Sequence, residues 1–400
     1  MRVVKKLSLE DLDLRGKRVL LRVDFNVPIR DGRVTDDARI VAALPTIRYA
    51  LDHGAAVVLL SHLGRPQGAP DPGLSLAPVR ARLAEILRRD VSFVRDCVGP
   101  DAERAASTLR PGDVLLLENL RFHPGEEKPE KEPGFAAALA RLGDCYVNDA
   151  FGTAHRAHAS IVALAEAFPR RAAGFLLARE IEYLGRLLAS PERPFLALLG
   201  GAKVSDKIPL VENLLSKVDA IAVGGAMAYT FLAARGQSVG SSRIEADRVE
   251  LSRQIEAEAT RQEVEILLPV DHVCGREFAA TTERRVVDTV DIPDGWMGLD
   301  IGPRSVASFC ERIASARTIL WNGPMGVFEW PAFAEGTFGV ARACAESRAT
   351  TIVGGGDSAA AARAAGLTER FTHVSTGGGA SLELLEGKTL PGVAALTDRS

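Results

Sequence analysis

The chain has 400 residues, a formal net charge of −3 and a sequence pI near 6.2. That length exceeds what one hydrophobic core supports, so two domains are expected, and the near-neutral charge gives no general reason to bind nucleic acid or an anionic membrane. Five cysteines, odd in number, far apart and without a C-x-x-C pair, argue against a disulfide framework or a zinc site and for a reducing compartment.

The segment Met1–Leu21 carries charges throughout, which predicts neither leader nor anchor, and no window approaches about 18 uninterrupted apolar residues. A cytoplasmic location follows by elimination. Ten apolar runs then predict strands in chain order: Arg18–Val23, Ala55–Leu60, Val114–Leu117, Cys145–Val147, Phe195–Leu199, Ala220–Val223, Val264–Leu268, Thr318–Trp321, Thr350–Val353 and Thr372–Val374. They are continuous rather than alternating, as parallel strands buried on both faces require, and helical stretches lie between many of them. The expected class is α/β, with two doubly wound parallel-sheet domains. Gly174–Ala189 is apolar over much of a helical surface and stops before Pro191 and Pro194, so it predicts a helix linking the domains.

Ligands of open parallel sheets sit beyond the carboxyl ends of the strands, and there the two halves differ. The first half carries Arg and His: Arg22-Val-Asp24-Phe25-Asn26, Ser61-His62-Leu63-Gly64-Arg65, Glu118-Asn119-Leu-Arg121 and His155-Arg156. The second carries Gly: Gly200-Gly201-Ala-Lys203, Gly224-Gly225, Gly354-Gly355-Gly356-Asp357-Ser358 and Gly377-Gly378-Gly379. Side-chain cations clamp a small, highly charged anion, whereas clustered glycines let backbone N–H groups approach a polyphosphate. Two different phosphorylated ligands are therefore expected.

Arg39, in the first turns of a helix opened by Thr35-Asp36-Asp37, opposes the helix dipole, a cost unless an anion is bound there. Lys203 and Lys207 stand i, i+4 and are expected on one face of a helix start. Gly354–Gly356 reads as a nest at a helix N-terminus, and Asp357 beside phosphates calls for Mg²⁺. Gly387-Lys-Thr389 lacks the first glycine of a P-loop, and Gly377–Gly379 is followed by Leu382, so no dinucleotide fingerprint is present. Gly236-Gln-Ser238-Val-Gly240 has the letters of a nucleophile elbow but follows a helical run, so it is expected to be a helix-ending loop.

These residues together resemble the phosphoglycerate kinases. The signatures are Arg22–Pro28, Ser61–Pro66, Gly152–His158, Gly200–Lys207, Trp321–Trp330, Gly354–Ser358 and His373–Ser381, in the family's order over residues 17 to 393. The resemblance implies a bilobal, hinge-bending, monomeric kinase of glycolysis, which reversibly transfers the acyl phosphate of 1,3-bisphosphoglycerate to Mg-ADP, giving 3-phosphoglycerate and ATP. Its phosphoglycerate domain would span 1–172 with the tail 390–400, the linking helix 173–190 and the nucleotide domain 191–389.

By motif position, Asp24, Phe25, Asn26, Arg39, His62, Leu63, Gly64, Arg65, Arg121 and Arg156 would hold the phosphoglycerate. Gly201, Lys203, Lys207, Gly224, Gly225, Gly298, Leu299, Asn322, Pro324, Glu329, Gly355, Gly356, Asp357 and Ser358 would hold ADP or ATP, with Mg²⁺ on Asp357. Arg39, Lys203, Gly356 and Gly379 would be catalytic. Ala226 and Tyr229 stand where the family often has Gly and Phe, departures that bear on the adenine pocket. A nucleotide-dependent oxidoreductase would need the absent fingerprint, and a catalytically dead relative could shed Arg39, Lys203 or Asp357, all of which are present.

Overall fold

Each of the ten apolar runs becomes a strand, because only hydrogen-bonded pairing lets a fully apolar segment bury its backbone on both faces. The computed structural model describes residues 5–399; of the segment Met1–Leu21, the 1–172 domain and the tail Leu390–Ser400, residues 1–4 and 400 lie outside the described residues. One six-stranded sheet runs in the order Ser92–Val94, Val114–Leu117, Ala56–Leu60, Arg18–Arg22, Cys145–Asn148, Arg171–Ala173, all parallel. A second runs Glu265–Leu267, Ala220–Val223, Phe195–Leu199, Thr318–Asn322, Thr350–Val353, His373–Val374, again all parallel.

In each sheet the chain moves outward in opposite directions from two neighbouring strands. These are Arg18–Arg22 beside Cys145–Asn148, and Phe195–Leu199 beside Thr318–Asn322. Loops leaving such a pair diverge and open a crevice at the carboxyl ends.

The apolar runs are not the whole of the strand content. Ser92–Val94 and Arg171–Ala173 are three-residue edge strands, too short to register as apolar runs. A hairpin pairs Ile29–Arg30 with Arg33–Val34. An antiparallel sheet of Arg284–Val287, His272–Gly275 and Met297–Ile301 corrects the purely parallel expectation. Its outer strand is exposed at three of four positions, so no apolar run marks it.

The described chain divides into two compact units, residues 5–182 with 389–399, and residues 183–388. Val23, Phe25, Ile47, Leu59 and Val147 belong to the core of the first, and Leu198, Phe309, Trp321, Met325 and Val340 to that of the second. The division falls within the helix Phe175–Ala189. That helix begins on Asp149, whose Oδ1 accepts from Leu177 N at 3.1 Å. A side chain at Gly174 would come within 2.3 Å of the same oxygen, so glycine is required there. Residues 389–399 join the first unit through Leu7 N to Thr397 O (2.8 Å), Thr397 N to Arg171 O (3.0 Å) and Gly392 N to Ala154 O (2.8 Å).

Candidate functional site

In the first unit the loops after the central strands are tied to one another by short polar side chains. Phe25 N donates to Ser61 Oγ at 2.9 Å, Gly64 N to Asn26 Oδ1 at 3.0 Å, and Asn119 Nδ2 to Leu63 O at 2.7 Å. Asn119 Oδ1 also accepts from Leu63 N and Arg121 N. One asparagine thus fixes two loops, a role its place directly after a strand hints at but does not specify.

On this frame Arg39, second residue of the helix Ala38–Asp52, donates to both oxygens of Asp24 at 2.9 and 3.0 Å. Arg121, almost buried, donates to Gly64 O at 2.6 Å and pairs with Glu127 at 3.1 Å. Arg156 is half-buried and Arg65 exposed. Phe25 and Leu63 are buried, and Phe25, which is fully enclosed, belongs to the core instead of presenting a side chain to a ligand.

Arg22 also departs from the picture of strand-end cations clamping an anion. It is fully buried, donates to Ser160 Oγ at 2.9 Å and lies 3.9 Å from the buried Glu126, which itself accepts from Ser160. The arginine is neutralised inside the unit.

His62 lies in the middle of this positive group. An arginine can only donate, so the 3.3 Å contact from Arg22 makes His62 Nδ1 the acceptor and leaves the proton on Nε2. Burial, then Arg22, Arg121 and Arg39, hold its pKa well below the ordinary value. His158 is pushed down to about 3 by burial, then by Arg121, Arg22 and Arg156. Both imidazoles are neutral where the unfolded chain's would charge.

The sign follows: between pH 6.5 and the lowered folded value the unfolded chain binds the extra proton, so stability is present above pH 6.5 and is lost on acidification. His158→Gln is expected to reduce the stability lost between about pH 7 and pH 5 by roughly 1–2 kcal/mol, read by urea unfolding at the two pH values. An unchanged difference would show that His158 titrates normally in the folded chain.

In the second unit the crevice beyond Phe195–Leu199 and Thr318–Asn322 is closed by backbone on backbone. Gly200 N donates to Asn322 O at 3.0 Å and Gly201 N to Pro324 O at 3.1 Å. Gly225, at φ +65°, donates to Met325 O, and a Cβ there would come within 2.6 Å of the Gly201 backbone. A largely apolar cavity of about 370 Å³ opens here, its walls including Gly201, Gly225, Ala226, Tyr229, Gly298, Leu299, Pro324, Glu329 and Asp357. Tyr229 forms part of it: a side chain at Gly298 would strike the Tyr229 hydroxyl at 2.0 Å. Gly224 is not in the wall; it packs on Met325, whose sulfur a Cβ would meet at 2.5 Å.

A second cavity of about 240 Å³ is polar at one end and joins Lys207, Asn322, Gly355, Gly356, Asp357, Ser358, Gly378 and Gly379. Lys207 Nζ donates to Asn322 Oδ1, and Asn322 Nδ2 is buried without a hydrogen-bond partner. Burial lowers the Lys207 pKa, while Asp357 opposes that shift. The helix Gly356–Ala364 starts here on Gly355 at φ +91°, and Gly379–Leu385 starts on Gly378 at φ +50°. Ser358 is buried and lines the same cavity, with its Oγ accepting from Gly323 N at 2.5 Å.

The expected lysine face on a helix is not found. The helix begins at Ile208, with Pro209 in its first turn, and residues before it form turns held by Ser205 on Glu245 (3.0 and 2.6 Å). Lys203 is exposed in that loop and Lys207 half-buried at the helix start. Gly236–Gly240 is a loop, as its context predicts: Ser238 Oγ donates to Ile292 O at 3.0 Å.

Two doubly wound α/β units, one with clustered cations and the other with glycine-walled cavities at its strand carboxyl ends, define an enzyme class that handles phosphorylated small molecules. Residues 9–388 match the model of the family described as phosphoglycerate kinase. The chain is 58% identical over 392 residues to the phosphoglycerate kinase of Anaeromyxobacter sp. strain Fw109-5, covering 97% of this chain and 98% of the relative. It is 58% identical over 394 residues to that of Moorella thermoacetica, covering 98% and 100%. The solved phosphoglycerate kinase of Coxiella burnetii superposes with a TM-score of 0.89 at 43% identity, with 98% of each chain covered, and that of Pyrococcus horikoshii with 0.84 at 37%, also with 98% of each covered. The chain belongs to the phosphoglycerate kinase family.

Proposed function

We propose that Asp24, Asn26, Arg39, His62, Arg65, Arg121 and Arg156 hold 3-phosphoglycerate or its bisphosphate in the first domain (1–172 with 390–400). A helix at 173–190 connects it to a nucleotide domain at 191–389. Membership of the family makes the chain a phosphotransferase with a carboxyl group as acceptor: it passes the acyl phosphate of 1,3-bisphosphoglycerate reversibly to ADP, in glycolysis. The observation that carries the assignment of sites is the pairing of unlike surroundings, a group of cations around a neutral His62 and a glycine-walled cavity that ends on Lys207 and Asn322.

The residues of the second unit fit a nucleotide. Gly201, Gly225, Gly298 and Leu299 admit a flat base where any Cβ on Gly225 or Gly298 would collide with protein. The unpartnered Asn322 Nδ2 and the Lys207 ammonium are donors for phosphate oxygens, and Pro324 and Glu329, in the wall of the apolar cavity, are further contacts for the nucleotide. Asp357 borders both cavities and would hold Mg²⁺, an ion that takes one or two carboxylates together with substrate phosphates. The ion, when bound, neutralises phosphate charge.

The travelling group is a loose, metaphosphate-like PO₃ with charge on its equatorial oxygens, so catalysis reduces to position and preorganised donors. Arg39 in the first domain and Lys203 in the second are the cations assigned to phosphoryl transfer. Backbone N–H groups of Gly356 and Gly379, at the starts of their helices, add neutral donors. His62 presents its Nε2–H while remaining uncharged. The reading keeps a monomeric cytoplasmic enzyme; no helix among the described residues is long and apolar enough to cross a membrane.

A coupled assay of ATP formation from 1,3-bisphosphoglycerate tests the activity, and its absence in folded protein would overturn it. The two lysines are expected to separate kinetically. Lys203→Ala lowers kcat with little change in nucleotide KM, since an exposed side chain engages only the moving group, while Lys207→Ala also raises that KM because it holds resting phosphates. Equal effects confined to KM in both variants would refute the division.

A further inference from the structure

Three side chains of different chemistry converge beside the helix Pro100–Ser107. Asp96 and Cys97 are consecutive in the turn before it, and His123 follows the turn that ends the Val114–Leu117 strand. One ligand atom from each lies within 4.8 Å of the other two. The sequence gives no zinc spacing here, because the ligands come from two loops 26 residues apart that only the sheet brings together.

We propose that Asp96, Cys97 and His123 form a binding site for a borderline-soft divalent transition metal, with Zn²⁺ the fitting ion. Thiolate, imidazole and carboxylate are the ligands Zn²⁺ takes, at about 2.3 Å for sulfur and about 2.0–2.2 Å for nitrogen and oxygen. Those bonds place tetrahedral ligand atoms roughly 3.3–3.6 Å apart, so the 2.7 Å contact between His123 Nε2 and Asp96 Oδ1 must open by less than an ångström. Three protein ligands leave a fourth position for water, on the side where Asp96 is half exposed.

Two features separate this arrangement from an ordinary ion pair beside a cysteine. Cys97 is 1% exposed and its sulfur lies within 4.8 Å of the Asp96 and His123 ligand atoms, so a buried thiol is aimed into the cluster. His123 is also held from behind. Its Nδ1 contacts Glu132 Oε1 at 3.1 Å, Glu132 Oε2 accepts from Gly125 N at 3.3 Å, and the ring stacks on Phe135 at 5.0 Å. A carboxylate on the far nitrogen of a ligating histidine fixes its tautomer and ring plane and raises its basicity. Binding forms bonds from the metal to Cys97 Sγ, His123 Nε2 and the Asp96 carboxylate. It displaces the thiol proton to water, so affinity rises with pH.

Co²⁺, a spectroscopic stand-in for Zn²⁺, titrated into chelator-treated full-length protein at neutral pH tests this. The expected result is a near-ultraviolet thiolate-to-cobalt band that saturates at one equivalent and is abolished by Zn²⁺. Cys97→Ser and His123→Ala lose the band while keeping parent far-ultraviolet circular dichroism and kinase activity, and Glu132→Gln weakens Co²⁺ binding about tenfold or more. Cys145→Ser and Cys310→Ser, at the partly exposed thiols, keep it. Absence of the band in the parent protein, or its survival in folded Cys97→Ser or His123→Ala, overturns the site.

Discussion

Arg39→Ala is expected to lower kcat by about two to three orders of magnitude, the usual loss when one preorganised transition-state donor is removed, while nucleotide KM stays near that of the parent. Arg39 is the second residue of its helix, where its charge opposes the dipole, and its side chain is 41% exposed. Both features are unfavourable for a purely structural cation. Its ion pair with Asp24 is open to water and contributes at most about 1 kcal/mol, so the melting temperature should barely move. Steady-state kinetics in both directions, beside a thermal melt, separate the two effects. A variant with near-parent kcat would reduce Arg39 to a solvated helix residue and would remove the proposed cation from the transferring group.

Gly200→Ala is expected to be the most damaging single methyl in the chain. The added Cβ would lie 2.0 Å from Pro324 O and 2.7 Å from its carbonyl carbon. The obstacle is backbone, which cannot rotate aside as a side-chain end can. The reciprocal position is as tight, a Cβ on Gly323 meeting Gly200 O at 2.1 Å. Separating the loops would break Gly200 N to Asn322 O and Gly201 N to Pro324 O together. Overpacking of this kind costs about 3 kcal/mol or more. We expect either insoluble protein or a folded one whose ADP affinity, by calorimetric titration, falls at least about a hundredfold. Gly134→Ala, where a Cβ meets nothing within 4 Å, is the control and should be neutral. Parent-like melting and ADP binding by Gly200→Ala would mean that the crevice tolerates a wider gap and does not shape the nucleotide cavity.

Much of the site was legible in the sequence, because strands buried on both faces announce themselves as apolar runs and the residues just after them must lie at one end of the sheet. Asp24, Arg39, His62 and Arg121 could be placed together that way, as could Gly201, Gly225 and Asp357. What strand order does to side chains could not be read. Arg22 has the same local setting as the other strand-end cations, yet it is buried against Ser160 and Glu126, more than a hundred residues away in sequence. Lys203 and Lys207 have helical spacing, but Pro209 and the Ser205–Glu245 contact start the helix only at Ile208.

The sequence by itself determined the α/β class, the ten main strands, the helix that stops before Pro191 and the family, since all of these rest on local periodicity or on ordered short motifs. Only the tertiary structure decided the antiparallel sheet at His272–Ile301, whose short strands are defined by pairing and whose outer strand Arg284–Val287 is mostly exposed. It alone also decided which charges are spent inside the fold and which face a cavity, and it assembled Asp96, Cys97 and His123 from separate loops. The physical reason is common to these cases: hydrogen-bond satisfaction and burial depend on neighbours that are distant in the chain, and a residue's type and spacing do not name those neighbours.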